Sequence, residues 1–314
     1  MFRNFLSVEE RESMCYDYFH KNNIESRDQL RKCWKSNPIT GVRSNFVEDM
    51  FSDFQERKKI RERNAQEIKT DLNYHQTFVL SDMHIPFHDE ETIRNVFDCI
   101  VDRQPKYIVL LGDILDCYSI SRFLKDPSRY RNLQDEINVF YKMMRTLMKE
   151  IPNTEIHYVL GNHENRLEKL VRENSGLYGL KKLEPREVFR LDDLGIAYHK
   201  TKVVIDDFIY YHGDVVRKDS AYSAKAEFYD HNCNSGISGH THRAGSYYKT
   251  YAKKVGFWLE NGCLCKIEPD YINDPDKANW QHCINIIDSY DGINQGSQII
   301  INDHKFSYGG KIYK

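Results

Sequence analysis

Five short runs in the chain carry residue types that do metal chemistry. They are Asp82-x-His84, Gly112-Asp113-x-x-Asp116, Gly161-Asn162-His163-Glu164, His212-Gly213-Asp214 and Gly239-His240-Thr241-His242. Asp, Asn and His offer carboxylate, amide and imidazole donors, a set that suits manganese, iron or zinc better than magnesium alone. Two such cations about 3.5–4 Å apart need one bridging carboxylate and several further donors. An Asp-x-His pair at a strand end is expected to put both side chains on one face, because side chains alternate along a strand. His240-x-His242 repeats that spacing. Taken singly, each run has a plainer reading: a surface loop for Asp82-x-His84, a core or capping histidine for His212, a satisfied pair for His240 and His242. All five in order, each after a strand-like run, point to a metal site.

The elements that must position these residues can be read from periodicity. "TFVLSDMH", "YIVLLGD" and "IHYVLGNHE" are buried-type strands that end in polar residues, and helical stretches over about 90–103 and 133–150 separate them. This alternation predicts βαβ units and a largely parallel sheet, whose carboxyl-end crevice is where ligands bind. "IAYHKTKVVID", "FIYYHGD", a helix near 219–231 and "SGISGHTHR" follow, then strand candidates at "KVGFWLENG", "CINIIDSY" and "SQIIIND". The later half is richer in strands and predicts a second sheet packed on the first. The helix after Glu164 buries Leu167, Leu170 and Val171, which leaves Arg166 near its exposed rim as a candidate phosphate clamp or a solvated residue. Tyr118, Ser119 and Arg122 are candidates for the pocket wall.

Residues 1–70 read as a separate helical unit, with 71–314 as the main domain. Ser7-x-x-Glu10 and Ser26-x-x-Gln29 are capping-box patterns, Asn22-Asn23 and Asn37-Pro38 are breaks, and Val47, Met50, Phe51 and Phe54 recur at helical spacing. Three helices with tight turns suit either a helix-turn-helix unit or a helical appendage on the main domain. Fourteen basic against twelve acidic residues in this stretch give little field for nucleic acid.

The 314 residues, 40% apolar with 21 Tyr and 16 Phe, suffice for a large core, and a net charge of −2 excludes a global attraction to nucleic acid. The start has an acidic cluster where a signal peptide needs an apolar run, and no stretch reaches roughly 18 uninterrupted apolar residues. A cytoplasmic protein with no membrane contact is expected, in a bacterial or phage-infected cell. Eight scattered cysteines form no Cys-x-x-Cys, and Cys263-x-Cys265 reads as ordinary strand sequence against a metal-ligating alternative.

The ordered set, over about residues 75–305, resembles the calcineurin-like metallophosphoesterase superfamily, in its phage and prophage, repair exonuclease-like branch. The resemblance implies two packed mixed sheets flanked by helices, a four-layer α/β sandwich, here with a small helical N-terminal extension. It implies two divalent cations, manganese foremost, with iron, zinc or nickel as alternatives. The first would be held by Asp82, His84, Asp113 and His242, and the second by Asp113, Asn162, His212 and His240, with Asp113 as bridge. Metal-activated water would attack phosphorus, His163 would be the general acid, and Asp116 would orient and charge it. Asp116-Cys117-Tyr118 stands where protein Ser/Thr phosphatases carry Asp-Arg-Gly, which argues against that branch. The expected substrate is a phosphodiester of DNA, RNA or nucleotides. A phosphomonoesterase acting on nucleotides, small molecules or phosphoproteins is the alternative, and a non-catalytic metal-binding scaffold the third. Glu164 has no role legible at this level.

Overall fold

The computed structural model describes residues 8–68, 74–127, 132–251, 254–267 and 279–314. The chain divides into two compact units, Met1–Thr70 and Asp71–Lys314.

The first unit is three helices: α1 (Val8–Lys21), α2 (Arg27–Ser36) and α3 (Ser44–Ile68). Ser26 and Gln29 close the expected capping box at the start of α2. Ser7 lies outside the described residues. Cys15, Phe19, Ile24, Leu30, Val47, Phe51 and Phe54 form its core. The charged run "QERKKIRER" is part of α3 rather than a segment after it.

The second unit is built on six-stranded and five-stranded sheets. Its first half comprises β1 (His75–Leu80), α4 (Glu90–Arg103), β2 (Tyr107–Leu110), α5 (Leu133–Glu150), β3 (Glu155–Val159), α6 (Asn165–Glu173) and the short α7 (Pro185–Val188) and α8 (Leu191–Leu194). Next come β4 (Ala197–His199), β5 (Lys202–Ile205), β6 (Phe208–Tyr211), α9 (Tyr222–Asp230), β7 (Gly236–Ser238), β8 (Ala244–Tyr251) and β9 (Lys254–Asn261). The chain ends in β10 (Cys283–Tyr290), β11 (Ile293–Ile300) and a small hairpin, β12 (Phe306–Tyr308) with β13 (Lys311–Tyr313).

The six-stranded sheet runs β11-β10-β1-β2-β3-β4. Strands β1 to β4 are parallel, and β10 and β11 add an antiparallel edge. The second sheet runs β5-β6-β7-β9-β8, with β6, β7 and β9 parallel between antiparallel edges. Both sheets are therefore mixed. "IAYHKTKVVID", which reads as one strand, is two: β4 closes the first sheet and β5 opens the second.

Alternation along the strands builds the layers. Val79, Val109 and Val159 point one way and pack on Phe208, Tyr210, Ile237, Phe257 and Leu259 of the other sheet. Phe78, Leu80, Ile108, Leu110 and Tyr158 point the opposite way, against Ile93, Val96 and Ile100 of α4 and Ile137, Phe140 and Met144 of α5. On the outer face of the second sheet, Ile209 and Trp258 receive Ala224 and Phe228 of α9. Helices, sheet, sheet and helix make four layers. The parallel strands β1, β2 and β3, and then β6 and β7, all deliver their carboxyl ends to the same edge of the sandwich.

Candidate metal centre

Each strand end hands over to a loop before the polar residues begin. Strand β1 stops at Leu80 and β7 at Ser238, so Asp82, His84, His240 and His242 are loop residues. The expected mechanism for Asp-x-His, strand alternation, is thus corrected. Asp82, His84, Asp113, His240 and His242 all have left-handed backbone, with φ of 51, 49, 51, 68 and 58°. A residue in that conformation costs roughly 1–3 kcal/mol and persists only where its surroundings over-determine it. Five of the seven expected donors carry this backbone cost.

The donors converge in two groups. Ligand atoms of Asp82, His84 and His242 lie within 4.8 Å of one another, and so do those of Asp113, His212 and His240. His84 Nε2 faces His242 Nε2 at 3.1 Å. Asp113 Oδ2 is approached by His212 Nε2 at 3.4 Å, His163 Nε2 at 3.8 Å and His84 Nε2 at 3.9 Å. Asn162 Oδ1 sits 3.1 Å from His212 Nε2, at the exposed rim. The seven residues expected as ligands therefore meet at one place, with Asp113 between the groups.

The residues fit a cation. Two imidazole nitrogens that face each other across a buried gap cannot both carry protons, and a cation between such lone pairs resolves the conflict. His212 Nδ1 lies 2.7 Å from the Leu111 carbonyl, which fixes its proton there and turns Nε2 inward as a donor. Burial alone would lower the His212 pKa, but the carboxylates of Asp113 and Asp82 outweigh it and raise it to about 10. Burial likewise opposes the charge on Asp113, yet His212 and His163 hold its carboxyl well below the usual range.

Asp116 holds two histidines. Its Oδ1 is 3.0 Å from His163 Nδ1 and 3.0 Å from His84 Nδ1. Burial works against its ionisation, but these hydrogen bonds win and keep its carboxyl below the usual range. Arg166 donates through Nη1 to the Asp116 carbonyl at 2.7 Å and lies 3.0 Å, through Nη2, from His163 Nε2. A guanidinium only donates, so in this arrangement Nε2 accepts and the His163 proton sits on Nδ1. His163 also falls within 4.8 Å of His84 and Asp113, closer to the ligand set than a detached acid would be.

Glu164 is the residue sequence reasoning left without a role. It is fully buried and accepts five hydrogen bonds: from the Ile114 and Leu115 amides and the Tyr158 hydroxyl at Oε1, and from the Asp113 and Gly161 amides at Oε2. Burial and the charge of Asp113 push its carboxyl up, while the hydrogen-bond donors around it favour the charged form. Its carboxylate clamps the loop after β2 to the loop after β3. Gly161 makes that closure possible, since a Cβ there would lie 2.2 Å from the Asp113 amide nitrogen. No local pattern announces such a clamp, because the amides it reaches in the loop after β2 lie 49–51 residues away. Trp280, whose ring centroid is 4.2 Å from that of His242, went unread, and Cys265, expected as ordinary strand sequence, lies past the end of β9 with its Sγ 3.9 Å from His242 Nδ1. Of the pocket-wall candidates, Tyr118 is buried beneath its loop and Arg122 pairs with Glu173.

Residues 75–244, more than half of the chain, match the calcineurin-like phosphoesterase family. The gene 54 protein of Mycobacterium phage L5 is 25% identical over 257 residues, covering 75% of this chain and 97% of that protein. The gene 54 protein of Mycobacterium phage D29 is 25% identical over 260 residues, with the same coverage. Among solved structures, Vacuolar Protein Sorting 29 from Cryptosporidium parvum aligns with a TM-score of 0.40 and 13% identity, over 76% of this chain and 95% of that one. The chain belongs to the calcineurin-like phosphoesterase family and is a metal-dependent phosphoric ester hydrolase.

Proposed function

We propose that this protein hydrolyses phosphodiesters of nucleic acid, with two divalent cations, manganese foremost, held by the converging Asp and His donors. The observation that carries the reading is the double approach to Asp113: donors from five strand-end loops meet there, with His163 and Arg166 at the rim. Asp82, His84, Asp113 and His242 would hold one cation and Asp113, Asn162, His212 and His240 the other. Bound there, divalent cations would acidify water and neutralise charge on the phosphoryl group.

The chain's own residues supply the rest. Arg166 leaves His163 when a phosphoryl oxygen, a stronger acceptor than an imidazole, enters its reach. That frees His163 Nε2 to carry the proton that the leaving oxygen needs. Asp116, bonded to Nδ1, steadies the charged ring while it waits. The missing Asp-Arg-Gly sequence argues against a phosphoprotein substrate. The phage relatives suit a phage-infected bacterial cell as the site of action.

The test is a substrate panel with manganese: bis-p-nitrophenyl phosphate, p-nitrophenyl phosphate, and labelled single- and double-stranded DNA and RNA. Diester and oligonucleotide cleavage is expected. Robust monoester cleavage with no diester cleavage would replace the reading by a phosphomonoesterase. His163→Ala should keep its metal yet lose turnover by roughly 10²–10⁴ on alkoxide leaving groups. The loss should be smaller on nitrophenolate, which leaves without a proton. Equal losses on both would remove the acid role.

A further inference from the structure

Beside the metal centre, the loop after β2 holds an aromatic ring out in solvent. Phe123 is 71% exposed and its neighbour Leu124 is 96% exposed. Two adjacent large apolar side chains in water cost hydrophobic stabilisation, and a mobile loop would fold them in. This loop is pinned instead. The Tyr118 hydroxyl donates to the Leu124 carbonyl at 3.0 Å and lies 2.7 Å from the Asp126 amide, which donates to it. Lys125 Nζ donates to the Tyr118 and Ser121 carbonyls beneath. Tyr118 and Lys125 form the underside, and Phe123 and Leu124 are what the loop presents.

The ring is tied to the catalytic residues through one side chain. The Arg166 guanidinium carbon lies 5.8 Å from the Phe123 ring centroid, while Arg166 Nη2 lies 3.0 Å from His163 Nε2. One guanidinium thus spans the gap between His163 and the exposed ring. A cleft of about 220 Å³ opens here, lined by Phe123, Arg166, Lys169, Leu170 and the Arg122–Glu173 ion pair among others. An exposed aromatic face with cationic side chains around it matches one ligand chemistry well: a base that stacks, on a backbone of phosphates.

We propose that Phe123, with Leu124 beside it, is a stacking shelf for an unpaired nucleobase next to the scissile phosphodiester. Arg166 serves the phosphate and Lys169 the neighbouring backbone. The inference rests on the nucleic-acid reading above and narrows it: a base locked in a duplex cannot reach the shelf, so the preferred substrate is a single strand or a frayed end.

The experiment compares wild type, Phe123→Ala and Phe123→Trp on a single-stranded oligonucleotide, on the blunt duplex, and on the single strand carrying abasic sites throughout. Wild type should have its lowest KM on the single strand. Phe123→Ala should raise that KM by about five-fold or more, and Phe123→Trp should retain tight binding. Removing the bases should raise the wild-type KM in the same way, and the penalty of Phe123→Ala should then largely vanish. A penalty of equal size on the intact and the abasic strand overturns the shelf while leaving nucleic-acid cleavage standing. Hydrolysis of bis-p-nitrophenyl phosphate with no cleavage of any oligonucleotide overturns both.

Discussion

At the residue scale, the centre depends on one carboxylate that touches no metal-facing atom directly. Glu164 binds the amides of Asp113, Ile114 and Leu115 and so sets where the Asp113 side chain points. In Glu164→Gln, an amide NH₂ must face at least one of those N–H groups and cannot accept from it. The apparent manganese affinity should fall about 10–100-fold, the usual loss when a ligand's supporting partner is removed. Titration of activity, or of heat, against manganese measures it; affinity within two-fold of wild type would show that the Asp113 loop holds its shape alone. Asp113 and Gly161 belong to the same closure. The motif around Asp113 was legible because Asp and Gly are chemically suggestive at a strand end. The clamp was not, because Glu164 looks like any acidic helix start until the two loops are brought together.

At the element scale, α5 carries a buried acid that its own amphipathic pattern does not predict. Glu136 lies in the first turn of α5, is 1% exposed, and accepts from the Cys117 amide at 2.7 Å through Oε2. Burial, with the nearby charges of Asp116 and Glu164, raises its pKa from 4.5 to about 8. The folded chain therefore keeps a proton that the unfolded chain gives up. Glu136 costs nothing below about pH 4.5, and its destabilising effect grows as pH rises through 8. Glu136→Gln keeps an acceptor for Cys117 without the charge. It should raise Tm at pH 8 by several degrees, given about 2–4 °C per kcal/mol for a domain of this size, and by much less at pH 5. Thermal scans at both pH values check this, and a shift independent of pH would mean the acid is ionised throughout. Most element positions were legible. Helices expected at 90–103 and 133–150 are α4 and α5. The split of β4 from β5 was not, because a strand that ends one sheet and a strand that opens the next have the same local pattern.

At the scale of the whole molecule, two sheets bring five loops to one edge, and charge must balance there. In the absence of metal, Asp113 and Asp82 draw a proton onto His212, whose pKa rises to about 10. A cation at Nε2 has to displace that proton. Apparent metal affinity should therefore fall as pH falls from 9 to 6, about tenfold per pH unit for each proton displaced. Calorimetry in buffers of different ionisation enthalpy counts the protons; binding without proton release would show His212 is neutral beforehand. Because the expected ligands come from loops of both sheets, metal binding should also stabilise the second unit as a body. Manganese at 100 times its Kd adds about 2.7 kcal/mol, or some 5–10 °C in Tm, which a chelator should reverse. Among the described residues no helix is long and apolar enough to cross a membrane.

The sequence by itself determined which residues to expect at the metal centre. Asp82, His84, Asp113, Asn162, His212, His240 and His242 stand out because donor residue types recur, in order, just past buried strands. It also marked the alternation that makes a layered α/β domain. Only the tertiary structure decided how those donors are aimed. Left-handed backbone at five of them, not strand alternation, turns their side chains inward. Such conformations are held by contacts from elsewhere in the chain, so no local pattern records them. The same holds for Glu164, and for the Arg166 bridge from His163 to Phe123. Each depends on loops far apart in sequence that the packing of the strands brings into contact.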